Sequence, residues 1–191
     1  TKVWRVVVHI AFFSCIVACQ SREQVYDEKL RQCVELSQSK LAEGTKCLEA
    51  LLKINPDRPI VHSFLASNYR RLGELDKAER AIQTFLHSYP LEAFGHESYC
   101  EILRDKDDLP QALLECYRAN ELAPENEKLW LTTADVQEKM GKIGEAELNY
   151  KKALKLKPDD HAALLFLGSF YERRGRLDEA ISTLERLLEL K

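Results

Sequence analysis

The sequence predicts an all-α fold, an α-solenoid in which antiparallel helix pairs are stacked one after another. The first observation is a constant period, which separates four prolines and, independently, four alanines. The second is that each period carries two stripes of apolar residues at helical spacing, with a short polar turn between them. Because such stripes must be buried, the helices are expected to pack in successive pairs. The repeating positions are Pro56, Pro90, Pro124 and Pro158, with Ala78, Ala112, Ala146 and Ala180.

Glycines mark the turn inside three of the periods. Gly73, Gly141 and Gly175 share one register, just past the predicted end of a first helix. Only glycine adopts a left-handed backbone there at little cost, so each of them predicts a helix end. In the period that starts at residue 93, Pro110 stands where the second helix is predicted to begin, a position at which its missing N–H is harmless.

The order of residues along this period resembles the tetratricopeptide repeat. The resemblance implies a right-handed superhelix with a concave face, because each helix pair buries its apolar surface against the next. The residues that carry it most clearly are Trp130, Ala134, Gly141, Ala146, Tyr150, Ala153 and Pro158.

The resemblance also implies a division of the chain. Residues 19–58 are predicted to form a degraded N-terminal repeat or cap, because Gly44 stands where the other units have alanine and Glu35 where tyrosine recurs. The four regular repeats are predicted at 59–92, 93–126, 127–160 and 161–191.

The charge balance is nearly even, with 28 lysines and arginines against 31 aspartates and glutamates, a net charge of −3. No cluster of basic residues supplies a phosphate-binding face, so nucleic acid is not an expected partner. The sequence has no nucleophile-elbow, zinc-protease or phosphate-loop motif, and no catalytic residue, cofactor or metal is predicted. His96, Cys100 and Cys116 could converge on zinc. However, His62 fills the equivalent place one unit earlier with no cysteine beside it.

Residues 1–18 resemble a bacterial lipoprotein signal peptide. Lys2 and Arg5 precede an apolar run from Val6 to Ala18, which is shorter than the roughly 20 residues that a membrane span requires. The run ends in Ile-Val-Ala-Cys, similar to the lipobox before whose cysteine signal peptidase II cuts, and this implies lipid attachment at Cys19. It also implies a lipid-anchored protein of the bacterial cell envelope. Because Gln20 rather than aspartate follows the cysteine, the outer membrane is expected, with the protein facing the periplasm.

Four cysteines remain once Cys19 and the signal peptide are set aside. Cys100 and Cys116 are predicted to lie at the same level of the two antiparallel helices of one pair, so that they face each other. Cys33 and Cys47 have nearly the same relation in the degraded repeat. An oxidising compartment would permit both bridges. The alternative is that these are small buried residues in apolar positions, where a free cysteine packs well.

By the resemblance, the first helices of successive units line a concave groove that holds a peptide or a helix of a partner protein. Chaperone-binding members clamp a C-terminal carboxylate with lysine and asparagine, but Ser63 and Glu97 stand in such places here. The positions selected by register have mixed apolar and acidic character. The candidate groove residues are Phe64, Ser67, Arg71, Phe94, Glu97, Glu101, Leu131, Asp135, Leu165 and Ser169.

These features predict a scaffold for protein interactions rather than an enzyme. The leading expectation is a lipid-anchored adaptor in the assembly of a bacterial envelope complex, either of the pilus and secretin type or in outer-membrane assembly. The arrangement of a lipoprotein signal peptide followed by tetratricopeptide repeats is similar to that of the pilotin lipoproteins of type IV pili. One alternative is a non-catalytic regulatory subunit of an envelope enzyme such as a murein hydrolase. Another is that the chain is the N-terminal part of a larger protein.

Overall fold

The computed structural model describes residues 23–190, and the regular structure in that range is entirely helical. The chain divides into two compact units, an N-terminal unit of residues 1–73 and a C-terminal unit of residues 74–191. The described helices of the N-terminal unit are α1 over 23–39, α2 over Leu41–Ile54 and α3 over Pro59–Arg71. Those of the C-terminal unit are α4 over Leu75–Ser88, α5 over Ala93–Asp105, α6 over Leu109–Leu122, α7 over Glu127–Lys139, α8 over Ile143–Leu156, α9 over His161–Arg173 and α10 over Leu177–Glu189.

Helices α3, α5, α7 and α9 begin at the positions from which the sequence places the four repeats. Pro59 occupies the first turn of α3, where its missing N–H leaves no hydrogen bond unmade. At the start of α9 the Asp160 carboxylate accepts a hydrogen bond of 2.8 Å from the backbone N–H of Ala163, a side-chain cap. The division into repeats stays a prediction, because the boundary between the compact units falls after Gly73, inside the predicted repeat 59–92.

The turns that follow the first helices adopt the left-handed backbone that their glycines predict. Gly73, Gly141 and Gly175 have φ angles of 77°, 74° and 71°, so the prediction of three glycine helix ends is confirmed. Asp107 occupies the same register in the remaining repeat and has a φ of 65°. The geometry of the turn is therefore constant even where the glycine is missing.

The core of the C-terminal unit is built from the repeating alanines and from aromatic side chains. The four alanines that define the period are at most 4% exposed, because they stand where helices approach closely. Tyr150 of α8 and Phe170 of α9 are completely buried, with ring centroids 5.4 Å apart. Burying a side chain of this size contributes roughly 1.5 to 3 kcal/mol, so this pair is a main support of the contact between α8 and α9.

The N-terminal unit is held by a close approach of α1 and α2 at Gly44. A Cβ atom at this position would collide with the backbone of Ser37, which explains why the alanine of the later repeats is replaced by glycine. The buried Ser37 hydroxyl donates to the Cys33 carbonyl at 2.8 Å and accepts a hydrogen bond of 2.8 Å from the Asn68 amide. This bond joins α1 to α3. The segment that departs from the repeat pattern is thus closely packed.

Candidate functional site

A cavity of about 260 Å³ lies between α5, α7 and α9, the first helices of three successive predicted repeats. We call it the groove cavity. Every helix that forms it contributes side chains one or two turns apart, so the lining follows from the repeat itself. The lining residues are Glu97, Glu101, Arg104, Lys128, Leu131, Thr132, Asp135, Ala162 and Phe166.

The lining of the groove cavity includes a cation, Arg104, that is held by two carboxylates. The Arg104 guanidinium donates 2.8 Å and 2.9 Å hydrogen bonds to the carboxylates of Asp135 and Asp105, and its side chain is 18% exposed. Burial by itself would lower the pKa of Arg104, but these carboxylates and that of Glu101 outweigh burial and raise it. The arginine is therefore charged and held in place, and it joins α5 to α7.

Glu97 of α5 and Thr132 of α7 stand opposite each other along the wall of the groove cavity. The threonine hydroxyl lies 3.5 Å from the Glu97 carboxylate and donates to the backbone carbonyl of Lys128 at 3.2 Å. Lys128 itself is exposed at the start of α7. The wall thus presents acidic and neutral polar groups, with one exposed lysine at its edge.

The apolar part of the lining comes from α7 and α9. Leu131 is 6% exposed, whereas Phe166 is 43% exposed. The Phe166 ring is nearly parallel to the ring of the buried Tyr150, with centroids 6.4 Å apart. Aromatic pairs of this kind attract each other, and Phe166 with Leu131 forms an apolar surface beside the carboxylates of the groove cavity.

Four of the candidate groove residues predicted from the sequence line the groove cavity. Three more, on α5 and α9, lie outside its lining. One of these, Phe94, packs against Phe85 with ring centroids 4.9 Å apart. The remaining three lie on α3 in the N-terminal unit. The residues in the lining are Glu97, Glu101, Leu131 and Asp135. Those outside it on α5 and α9 are Phe94, Leu165 and Ser169, and those on α3 are Phe64, Ser67 and Arg71.

Sequence reasoning missed five lining residues. The period could have found four of them. Lys128 and Ala162 follow the selected Phe94 after one and two periods, and Thr132 and Phe166 follow the selected Phe64 after two and three periods. Arg104 gave no signal, since an arginine near a helix end resembles any solvated residue until its partners on the next helix are known. The missed residues are Arg104, Lys128, Thr132, Ala162 and Phe166.

The four candidate cysteines lie in two close pairs. Cys33 and Cys47 are joined as a disulfide with a Cα separation of 5.4 Å, and Cys100 and Cys116 with one of 5.3 Å. The first bond lies between α1 and α2 and the second between α5 and α6. The predicted lipid-attachment residue, Cys19, lies outside the described residues.

His96 has protein partners of its own beside the second disulfide. Its Nδ1 atom lies 2.7 Å from a carboxylate oxygen of Glu115, and its Nε2–H donates to the Pro90 carbonyl at 2.9 Å. Both side chains of the His96–Glu115 pair are buried. Within residues 23–190, no group of three or more histidine, cysteine or acidic side chains is arranged to hold a metal ion.

The family of the chain follows from comparison with known proteins. Residues 65–127 and 131–191, more than half of the chain, match the family model of the tetratricopeptide repeat. The chain belongs to the tetratricopeptide repeat family. Tetratricopeptide repeat proteins are generally non-catalytic scaffolds, and this member is a scaffold for protein interactions.

Known tetratricopeptide proteins share the fold along most of the chain. A thermophilic tetratricopeptide protein of Thermus thermophilus is 27% identical, with a TM-score of 0.76 over 86% of this chain and 91% of that one. Pseudomonas aeruginosa PilF is 18% identical, with a TM-score of 0.76 over 90% of this chain and 78% of that one. MamA is 21% identical, with a TM-score of 0.66 over 81% of this chain and 90% of that one. At identities this low, the last two show the fold alone.

A curated relative is much longer than this chain. The tetratricopeptide repeat-containing protein MJ1428 of Methanocaldococcus jannaschii is 27% identical over 164 residues. The match covers 79% of this chain and 29% of the relative, so the chain spans under a third of that protein.

Proposed function

We propose that this tetratricopeptide protein is a lipid-anchored adaptor that holds a partner protein during the assembly of a bacterial envelope complex. The observation that carries the proposal is the groove cavity, because three successive first helices join an apolar surface to fixed charges there. A surface that combines apolar and charged groups is suited to bind a peptide or a helix of a partner protein. Apolar contact supplies affinity, and the charged groups fix the register of the bound segment.

The anchor part of the proposal is supported by the sequence before Glu23. Cys19 ends a lipobox-like segment that follows a basic and an apolar stretch. No helix within the described residues is long and apolar enough to cross a membrane. A lipid on Cys19 would place the helical units at a membrane surface, and Gln20 favours the outer membrane.

The cysteine pairs support a location outside the cytoplasm. Disulfides persist in oxidising compartments such as the bacterial periplasm and are rare where thiols are kept reduced. We propose that both bridges, Cys33 with Cys47 and Cys100 with Cys116, are formed in the mature protein. The fold shared with Pseudomonas aeruginosa PilF is compatible with an envelope role and adds only the fold to the argument.

Photo-crosslinking in bacterial cells tests the binding function. Benzoylphenylalanine would replace Phe166, which lines the groove cavity, and, in a matched control, Tyr117, an aromatic residue of similar exposure on the second helix α6. We expect a discrete crosslinked envelope protein from position 166 and not from position 117. Equal products from the two positions, or none from position 166, would contradict groove binding.

Mass spectrometry of the native protein tests the anchor. The expected mature chain begins at Cys19 and carries lipid on its sulfur and amine, and Cys19→Ser is expected to accumulate as uncleaved precursor. Cys15→Ser, a change inside the same predicted signal peptide, is the control and is expected to mature normally. An unmodified Cys19 in the native protein would rule out the lipid anchor.

A further inference from the structure

The N-terminal unit exposes apolar side chains at the end where α1 begins and α2 finishes. Val25, in the first turn of α1, and Ile54, the last residue of α2, are 57% and 67% exposed. Both line a cavity of about 610 Å³ together with the buried Tyr26 and Leu51. We call these four residues the apolar end of the unit. Exposed apolar residues that are gathered in one place, unlike single ones, mark an interaction surface.

Contacts among α1, α2 and the start of α3 hold the apolar end in shape. The Tyr26 hydroxyl donates to the Leu51 carbonyl at 3.4 Å, which joins the start of α1 to the last turn of α2. The guanidinium carbon of Arg58, just before α3, lies 4.9 Å from the centre of the Tyr26 ring. Arg58 also forms ion pairs of 3.4 Å with Glu23 and 3.7 Å with Asp27. The exposed apolar side chains therefore stand on a packed base.

Polar side chains border the apolar end. Glu23, Lys29, Asn55 and Arg58 complete the lining of the cavity. With Asp27, which pairs with Arg58, two carboxylates balance two cations. Lysine and arginine at the edge of an apolar surface extend their charges to water or phosphate while their stems stay in apolar contact. Such a border suits a surface that enters the headgroup region of a bilayer to a shallow depth.

A lipid on Cys19 would bring the apolar end to a membrane. Cys19 lies four residues before Glu23, where α1 begins, and four fully extended residues span at most about 14 Å. The anchor therefore keeps the start of α1 within about that distance of the bilayer. The far end of α3 is separated from its start by the length of 13 helical residues, about 20 Å. Of the two ends of the unit, the apolar end is the one tied closely to the lipid.

We propose that the apolar end of the N-terminal unit inserts into the surface of the phospholipid bilayer, with Val25 and Ile54 among the headgroups and upper acyl chains. This inference rests on the lipid anchor of the proposed function and adds a second membrane contact, which orients the unit. Removal of the two aliphatic side chains from water drives the contact. Because the bordering charges balance, added salt should change the contact little.

Photo-crosslinking of the mature, lipidated protein in vesicles of phosphatidylethanolamine and phosphatidylglycerol tests the inference. Benzoylphenylalanine would replace Ile54 or Val25 at the apolar end and, in the control, Leu72, an exposed leucine at the far end of α3. We expect phospholipid adducts from positions 54 and 25 and none from position 72. Mass spectrometry of the irradiated protein identifies the adducts.

A second pair of variants tests whether the apolar side chains act together. Val25→Asn, added to the position-54 crosslinking variant, should lower the yield of phospholipid adducts, because an amide opposes insertion. Leu72→Asn, added to the same variant, should leave the yield unchanged. Circular dichroism checks that both variants keep the native helical content. Equal yields with the two asparagine substitutions would contradict a contact made by the apolar end.

Three results of the crosslinking would overturn the inference. The first is the absence of phospholipid adducts from position 54, or equal yields from positions 54 and 72. The second is an adduct only with the acyl chains on Cys19 itself, which would show that the cavity holds the protein's own lipid. The third is a protein adduct that replaces the lipid adduct when the position-54 variant is irradiated in cells, which would show a protein-binding surface.

The mass spectrum of the same sample separates this inference from the proposed function. If Cys19 carries lipid and position 54 gives no phospholipid adduct, the inference fails and the anchor stands. An unmodified Cys19 would reject both the anchor and the inference. Crosslinking from position 166 decides the binding of a partner protein independently of either result.

Discussion

Gly141 ends α7 with a φ of 74°, whereas Gly144 is the second residue of α8, in ordinary helical geometry. A Cβ atom would meet no other atom within 4 Å at either position. The two glycines therefore differ in backbone conformation and share an open surrounding. They allow the left-handed turn to be tested without interference from packing.

We expect Gly141→Ala to lower the free energy of unfolding by about 1 kcal/mol, because an L side chain is disfavoured in the left-handed region. Gly144→Ala should raise it by up to about 1 kcal/mol, since alanine favours the helix. Urea denaturation followed by circular dichroism measures both. Changes of the same sign would show that the turn conformation does not determine the effect.

The left-handed turns also show what single residues reveal in a sequence. Glycine at three of the four turns predicted the conformation, because glycine is the residue that adopts it cheaply. Asp107 gave no such signal, since aspartate is also favoured at helix N-caps and in ordinary turns. Only the period of the repeat, carried forward from Gly73, identifies Asp107 as a member of the same set.

At the scale of the helices, Glu147 of α8 forms an ion pair with Arg176 at the start of α10. Its carboxylate accepts hydrogen bonds from Arg176 at 2.7 Å and from Lys151 at 2.6 Å, and its side chain is 19% exposed. These bonds, with that from Arg176 the larger cause, lower the pKa of Glu147 to about 2 from its ordinary value of 4.5. The native state thus favours the charged carboxylate.

The depressed pKa of Glu147 predicts a loss of stability in acid. Because the folded pKa lies below the unfolded one, the contribution is present above about pH 4.5 and is lost as the pH falls toward 2. Both partners are partly exposed, so solvent screening limits the effect to about 1 kcal/mol. Between pH 5 and pH 2, Glu147→Gln should therefore lose about 1 kcal/mol less than the wild type. Urea unfolding at each pH measures this difference. Glu121→Gln, at an exposed position of α6, is the control and should behave as the wild type.

The disulfide between α5 and α6 gives a second prediction for the helices. The bond joins residues 16 apart, and closing a loop of this size contributes about 3 kcal/mol in the chain-entropy model. Cys100→Ala/Cys116→Ala should be less stable than the wild type by about that amount. Under reducing conditions the two proteins should come within about 1 kcal/mol of each other, since neither then has the cross-link. Four reactive thiols in the unfolded, unreduced mature protein would contradict both proposed bridges.

For the molecule as a whole, the sequence predicted the helical repeats well because each one restates the same apolar pattern. The groove was predicted less completely. Leu131 and Asp135 were found by register, whereas Arg104 was missed, since its role depends on a partner from a neighbouring helix. Phe166 was missed although it lies three periods after the selected Phe64. The spacing of residues in the sequence does not identify the partner protein, because the groove determines only which chemical groups a ligand must carry.

The most direct test of the central claim compares two substitutions in binding to the crosslinked partner. Phe166 and Leu114 are both 43% exposed, but only Phe166 lines the groove cavity, while Leu114 lies on the second helix α6. Isothermal titration should show that Phe166→Ala weakens the partner's binding by about tenfold or more, as truncation of a central aromatic contact does. Leu114→Ala should change the dissociation constant by less than about twofold. Equal effects, or a larger loss with Leu114→Ala, would contradict the claim that the groove cavity is the binding site.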